Sequence, residues 1–371
     1  MIPMLDLKPQ YASLRAAMDD AILAVLRSGQ YLDGPHVAAF EQSLAAYHDV
    51  AHAVAVASGS DALYLALRAL DVGPGDEVIT APFADAAASQ AIALTGARPV
   101  FADIDPVTYN LDPAEVERKL TSRTKALLPT HLFGQPADMS ALSAIARDHG
   151  LALVEDATQA FGATLDGRKV GTFGQVAAFS FAPATPLGAY GDGGACITDD
   201  PELAARLAAL SDHGAWTPAH QDVLGIRSRF DELQAAALCV KLPHVDDWNE
   251  ARRELARRYD DLLKDVRGVM TPEVLSGAVP VYARYVIRLK DRDGIQEGLK
   301  VRGIESQVYC PLPLHLQKAY EALGHGSGAF PISERASREV LSLPLYSEFT
   351  LELQRQVVDA LREAVEDGIP E

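Results

Sequence analysis

Four groups of residues in this 371-residue chain have types and spacings that do chemistry. Gly59-Ser60-Asp61 follows the apolar run AHAVAVAS and opens a helical pattern. A small-residue helix start after a strand presents free N–H groups to an anion, although SGSD is equally a plain N-cap. Asp156 closes the apolar run Leu151–Glu155, three residues before Gln159, and Asp85 lies in PFADAAASQAI after the run Glu77–Ala81. The stretch FSFAPATPLGAYGDGGACITD (179–199) holds Ser180, Pro183, Thr185, Pro186 and four glycines between two strand-like runs, Val176–Phe181 and Ala195–Thr198. Proline fixes φ and glycine lets backbone approach a ligand closely, so this loop is either a ligand cradle or an ordinary hairpin connection. Arg227 and Arg229, in GIRSRFDE, suit an interface ion pair or an anion clamp. His131, His213 and His315 titrate in the right range for acid–base work, and each also suits a structural hydrogen bond. No His/Cys/carboxylate spacing marks a metal site. No Gly-x-Ser-x-Gly elbow marks an acyl-transfer nucleophile.

The elements that must position these residues alternate between strand and helix from Ala51 onward, and the strands are rich in Val, Ile, Leu and Ala. That pattern predicts an α/β fold with a largely parallel sheet, whose ligands sit outside the carboxyl ends of the strands. Gly59, Asp85, Asp156 and Ser180 all fall at such ends and are predicted to converge. Further strands are expected at Pro99–Asp103 and Ala126–Pro129. Helices are expected over Tyr11–Arg27, from Gly34-Pro35 to about Tyr47, and over Ala62–Leu70, Pro201–Ser211, Phe230–Leu242 and Val245–Val266, with a polar loop at His213–Arg229. Beyond about Gly268 come a strand (Val281–Leu289), a helix (Arg292–Val301), the segment GIESQVYCPLPLH and a last helix (Leu351–Glu366). The expected division is therefore a large α/β domain with an extended N-terminal arm (1–245) and a small C-terminal α+β domain (246–371).

Bulk properties narrow the partners. A net charge of −18, from 33 basic and 51 acidic residues, argues against nucleic acid and anionic membrane surfaces. No apolar run is long enough to cross a membrane, and the N-terminus lacks a signal-peptide pattern. Three scattered cysteines suggest free thiols in a reducing compartment, hence the cytoplasm. An anionic small-molecule substrate would need a local basic pocket.

The loop at 179–199 resembles the cofactor loop of the DegT/StrS-type sugar aminotransferases, fold type I enzymes that use pyridoxal phosphate (PLP). SGQYLDGPHVAAFE (28–41) and VEDATQA resemble the same family, and the resemblance runs from LDL near the start to VLSLPLY (340–346). It implies a large domain with a mostly parallel seven-stranded sheet, a smaller α+β domain, and a homodimer whose active sites are shared between chains. It also implies that Gly59, Ser60 and Ser180 hold the cofactor phosphate. Asp156 would face the pyridine nitrogen and keep it protonated, so that the ring acts as an electron sink, with Gln159 beside the ring oxygen.

Against that pattern stand several departures. In the family a lysine on this loop carries the cofactor as a Schiff base, and Thr185 stands in its place. A hydroxyl forms no imine and is a poor base near neutral pH. No other lysine occupies a loop that the family places over the cofactor. Asp85 replaces the aromatic residue that stacks on the ring. Arg227 replaces the asparagine that a neighbouring subunit lends to the phosphate, and could grip a phosphate more strongly, pair with Asp85 or bind a substrate carboxylate. Phe161, Ala283 and Tyr309 stand where relatives often have histidine. Relatives with an altered lysine include sugar dehydratases, in which a histidine replaces it; Thr185 departs from that pattern as well. The expected function is a biosynthetic enzyme acting on a nucleotide sugar or other secondary-metabolite intermediate by something other than ordinary transamination, such as lyase, isomerase or cyclase chemistry. Asp85, Arg227, Thr185 and Tyr309 are its catalytic candidates. PLP or its amine form (PMP) would be held non-covalently, or not at all. The alternatives are a non-catalytic partner subunit or binding protein, and an ordinary aminotransferase whose lysine was replaced by engineering.

Overall fold

The computed structural model describes residues 1–217, 220–221 and 223–367. Helices α1 (Lys8–Ser28) and α2 (Pro35–His48) precede strand β1 (His52–Val56). There follow α3 (Gly59–Ala69), β2 (Glu77–Thr80), α4 (Ala86–Leu94), β3 (Arg98–Phe101), α5 (Pro113–Lys119), β4 (Thr124–Leu127), α6 (Met139–His149) and β5 (Ala152–Asp156). A short hairpin, β6 (Thr164–Leu165) and β7 (Arg168–Lys169), leads to β8 (Val176–Ser180) and β9 (Gly194–Thr198). The main sheet has seven strands in the order β1-β9-β8-β5-β4-β2-β3. It is parallel from β8 through β5, β4 and β2 to β3, while β9 runs antiparallel to both β8 and β1. The loop at 179–199 is thus a hairpin connection, and it lies at the carboxyl end of β8.

Alternate residues of the central strands bury into opposite layers, as strand geometry requires. Val176 and Ala178 of β8 and Cys196 of β9 pack beneath α3, whereas Ala177, Phe179, Ala195 and Ile197 pack with Phe40 and Leu44 of α2. Both faces are covered, which is why these strands are apolar throughout.

Helix α1 begins at Lys8, earlier than its apolar spacing predicts, because Pro9 is tolerated in a first turn. The arm is shortened accordingly, and Ile2 pairs with the backbone of Ile304. After α7 (Pro201–Ser211), the expected polar loop contains a small hairpin, β10 (Ala215–Thr217) with β11 (His220–Gln221); Pro218, Ala219 and Asp222 of that loop lie outside the described residues. Helices α8 (Glu232–Lys241) and α9 (Val245–Leu263) follow, then β12 (Ala278–Val279) and β13 (Tyr285–Arg288). The expected strand Val281–Leu289 shortens because its first half docks elsewhere. Val281 N–H donates to Gly134 O, Arg284 N–H donates to Phe133 O, and Tyr282 adopts φ 47° between them. Helices α10 (Arg292–Val301) and α11 (Pro331–Glu339), strand β14 (Val340–Leu343) paired with β13, and α12 (Leu351–Asp367) complete the described chain. Their core, with Tyr259, Tyr285, Leu299, Leu341 and Leu361, also takes in Leu255 and Leu263 of α9 and Ile2 of the arm. No described helix is long and apolar enough to cross a membrane.

Candidate active site

The site begins where β1 hands over to α3. Ser58 caps the helix, its hydroxyl accepting from Asp61 N–H at 3.1 Å. The first-turn N–H groups of Gly59 and Ser60 have no intrahelical acceptor, as at any helix start, and are positioned for an anion. A Cβ on Gly59 would lie 2.6 Å from the Cβ of Ser180, and one on Gly194 2.3 Å from Ser58 O. Glycine at both places lets β8, β9 and the helix start close into one cup. Gly59, with Ser60 next to it in the first turn of α3, therefore lies against Ser180.

Across β5, Asp156 is buried. Its carboxylate accepts from Thr130 Oγ1 at 2.9 Å and from Thr158 at Oγ1 (2.6 Å) and N (3.2 Å). Burial raises its pKa above the ordinary carboxylate value, these three donors pull it back, and the charge of Asp85 raises it further. Asp85, exposed at the N-cap of α4, accepts from Gln159 Nε2 at 3.2 Å and from the Tyr309 hydroxyl. Gln159 also donates to Tyr309 Oη at 2.6 Å and accepts from Phe133 N–H at 3.0 Å. Asp85, Gln159 and Tyr309 thus form one hydrogen-bonded triad beside Asp156. Burial and the Asp85 carboxylate push the Tyr309 phenol far above its ordinary range, so it stays protonated.

Two residues fall outside these clusters. The Thr185 hydroxyl donates to Ala182 O at 2.8 Å and Leu187 O at 3.2 Å, tying its own loop together. Arg227 is exposed and forms no ion pair with Asp85 within the chain; its neighbour Arg229 pairs with Asp33 at 2.6 Å. His131 and His315 are buried against Glu155 and Glu334, each at 3.1 Å, and serve the fold.

Thr130 and Thr158 hold the Asp156 carboxylate in place and were not singled out from sequence. Thr158 was findable, because a Thr two residues after an Asp commonly turns back onto its carboxylate. Thr130 was not, since it reaches Asp156 only through sheet pairing of β4 and β5. Among the described residues, no group of three or more His, Cys, Asp or Glu is placed to hold a metal ion.

Known proteins are similar to this chain over nearly its whole length. The chain is 47% identical over 364 residues to a "pleiotropic regulatory protein" of Geobacillus stearothermophilus, covering 98% of each. It is 45% identical to a dTDP-3-amino-3,4,6-trideoxy-α-D-glucose transaminase of Streptomyces venezuelae, covering 98% of this chain and 96% of that one. The crystal structure of S. venezuelae DesV with a ketimine intermediate superposes with a TM-score of 0.96 at 45% identity, again over 98% of both chains. The fold is accordingly that of fold type I aminotransferases. With the pattern of the DegT/DnrJ/EryC1/StrS aminotransferase family matched over residues 13–362, the chain belongs to that family.

Proposed function

We propose that the chain is an enzyme that holds PLP or PMP without a covalent bond and acts on a nucleotide sugar or a related secondary-metabolite intermediate. One observation supports this reading: Gly59 closes against Ser180 and Asp156 is held by Thr130, while Thr185, which the sequence resemblance sets against the family's lysine, spends its hydroxyl inside its own loop. The residues fit the phosphate and the ring nitrogen of such a cofactor, and they do not fit its covalent attachment. When bound, PMP supplies an amine and a ring that takes up electrons. The chain's own contributions are then distinct. The α3 start and Ser180 receive the phosphate, and Asp156 keeps a proton on the ring nitrogen. Gln159 orients Tyr309, and the Tyr309–Asp85 pair holds a proton between two oxygens at the position where the family has an aromatic ring face. The S. venezuelae relative is named for a dTDP-sugar, which supports a nucleotide sugar as substrate.

The reading includes a homodimer in which Arg227 enters the partner's site. It also includes a division into domains 1–245 and 246–371, and a cytoplasmic location. Absorbance titration of the purified protein with PMP and with PLP tests it. The expected result is a band that survives gel filtration in wild type and weakens at least tenfold in Asp156→Ala. No band under any condition would overturn it.

A second reading, a binding protein without turnover, draws on the "pleiotropic regulatory protein" name of the Geobacillus relative. It expects nucleotide-sugar binding by calorimetry with no product by mass spectrometry.

A further inference from the structure

A groove of about 610 Å³ lies among the C-terminal elements and shares no residue with the cup or the triad. Its walls come from the turn after α9, the end of β13, the start of α10, and from α11 and α12. Met270, Leu289, Ile295 and Val365 give it an apolar lining, in which Met270 is half exposed.

Charge sets the groove apart from the rest of the chain. Acidic residues outnumber basic ones by 51 to 33 overall, yet here Arg267, Arg288, Lys290 and Arg335 face only two carboxylates, Asp291 and Glu339. Both carboxylates are already engaged. Asp291 caps α10, accepting from Gly294 N–H at 3.4 Å, and Glu339 pairs with Arg288 at 3.5 Å. Arg288 is a fixed anchor: Nη1 donates to Pro106 O at 3.3 Å and Nη2 to Met270 Sδ at 3.0 Å, while its buried Nε has no hydrogen-bond partner. Arg267, Lys290 and Arg335 are exposed and enter no ion pair among the described residues. Cations that converge on one groove without counter-ions repel one another, and an anion with several charges removes that cost.

We propose that this groove binds a nucleoside di- or triphosphate, its phosphates against Arg267, Lys290 and Arg335 and its base against the apolar lining. Guanidinium forks match phosphate oxygens in pairs, and three separate cations suit a chain of phosphates better than a single carboxylate. The volume and the mixture of apolar lining with a few convergent charged groups are those of a small-molecule site. The groove is separate from the phosphate cup at α3, which is built from backbone N–H groups and Ser180. It goes beyond the function proposed above and does not depend on whether a B6 cofactor binds.

Calorimetry of the full-length protein with ADP, pyrophosphate and citrate, at constant ionic strength, tests it. ADP is expected to bind saturably, several-fold more tightly than pyrophosphate and at least tenfold more tightly than citrate. Arg267→Ser and Arg335→Ser are each expected to weaken ADP binding several-fold, and the double variant at least tenfold, with folding checked by circular dichroism. Arg147→Ser, which removes the same charge from the exposed face of α6, is expected to leave it unchanged. The absence of saturable ADP binding in wild type would overturn the proposal, as would binding unchanged in the double variant. An equal loss in Arg147→Ser would reduce the effect to net charge and overturn it too. Citrate as tight as ADP would contradict the phosphate assignment, and pyrophosphate as tight as ADP would contradict a bound base. The PMP titration is a separate readout, expected to be unchanged in the double variant. ADP binding lost in Asp156→Ala but intact in the double variant would move the nucleotide to the cup and overturn the groove.

Discussion

At the scale of single residues, Gly59 leaves no room for a side chain. An alanine there must push its Cβ against Ser180 Cβ, 2.6 Å away. Overpacking of this kind costs about 1–3 kcal/mol, and it also moves the helix start away from any bound phosphate. Gly59→Ala is therefore expected to lower stability in urea melts and to weaken PMP binding at least tenfold. Adding Ser180→Gly should recover the stability, because it removes the opposing Cβ. Tyr309 makes a different kind of contribution. Tyr309→Phe removes a donor to Asp85 and an acceptor for Gln159, a loss of roughly 1–2 kcal/mol in urea melts, and any turnover that passes a proton through this hydroxyl should fall by an order of magnitude or more. Asp85 and Asp156 are legible in sequence because they fall at the ends of strand-like runs, whereas Gln159 and Tyr309 stand out only through the family resemblance. Their mutual bonding is not legible there, since Tyr309 joins Asp85 across 224 positions of chain.

At the scale of elements, the strands were readable from apolar runs and most helices from their spacing. Helices α4, α5, α6 and α11 are not among those the sequence pattern predicts, and the strand expected at Val281–Leu289 lost its first half to backbone bonds with the loop after β4, which no local pattern encodes. Glu155 shows how an element can hide a structural charge. It sits in a buried strand, accepts from the N–H groups of Gly171, Phe173 and Gly174 at 2.6–2.7 Å, and takes a further hydrogen bond from His131. His48, at the end of α2, makes the fold sensitive to acid. Its Nδ1 bonds Leu44 O at 3.0 Å, its Nε2 has no partner, and burial lowers its pKa to about 4. A histidine depressed in the folded state takes up its proton first in the unfolded chain, so stability falls as pH drops from about 6.5 towards 4. The shift corresponds to at most about 3 kcal/mol. Urea melts across that range should show this slope in wild type and a flatter one in His48→Leu.

At the scale of the whole molecule, the proposed dimer would have exposed apolar side chains to cover. Leu224 is 85% exposed and lies three residues before Arg227, and Leu23, Leu26 and Tyr31 are also exposed. Light scattering is expected to give the mass of a dimer, and Leu224→Asp to shift it towards the monomer. A wild-type monomer at micromolar concentration would contradict the shared-site reading. The central claim is that a B6 cofactor occupies this pocket without a bond to the protein. Intact-mass analysis after PLP loading and borohydride reduction tests it most directly. The account predicts the unmodified mass of the chain, while a pyridoxyl group found on any lysine of the native protein would contradict it and restore the ordinary aminotransferase.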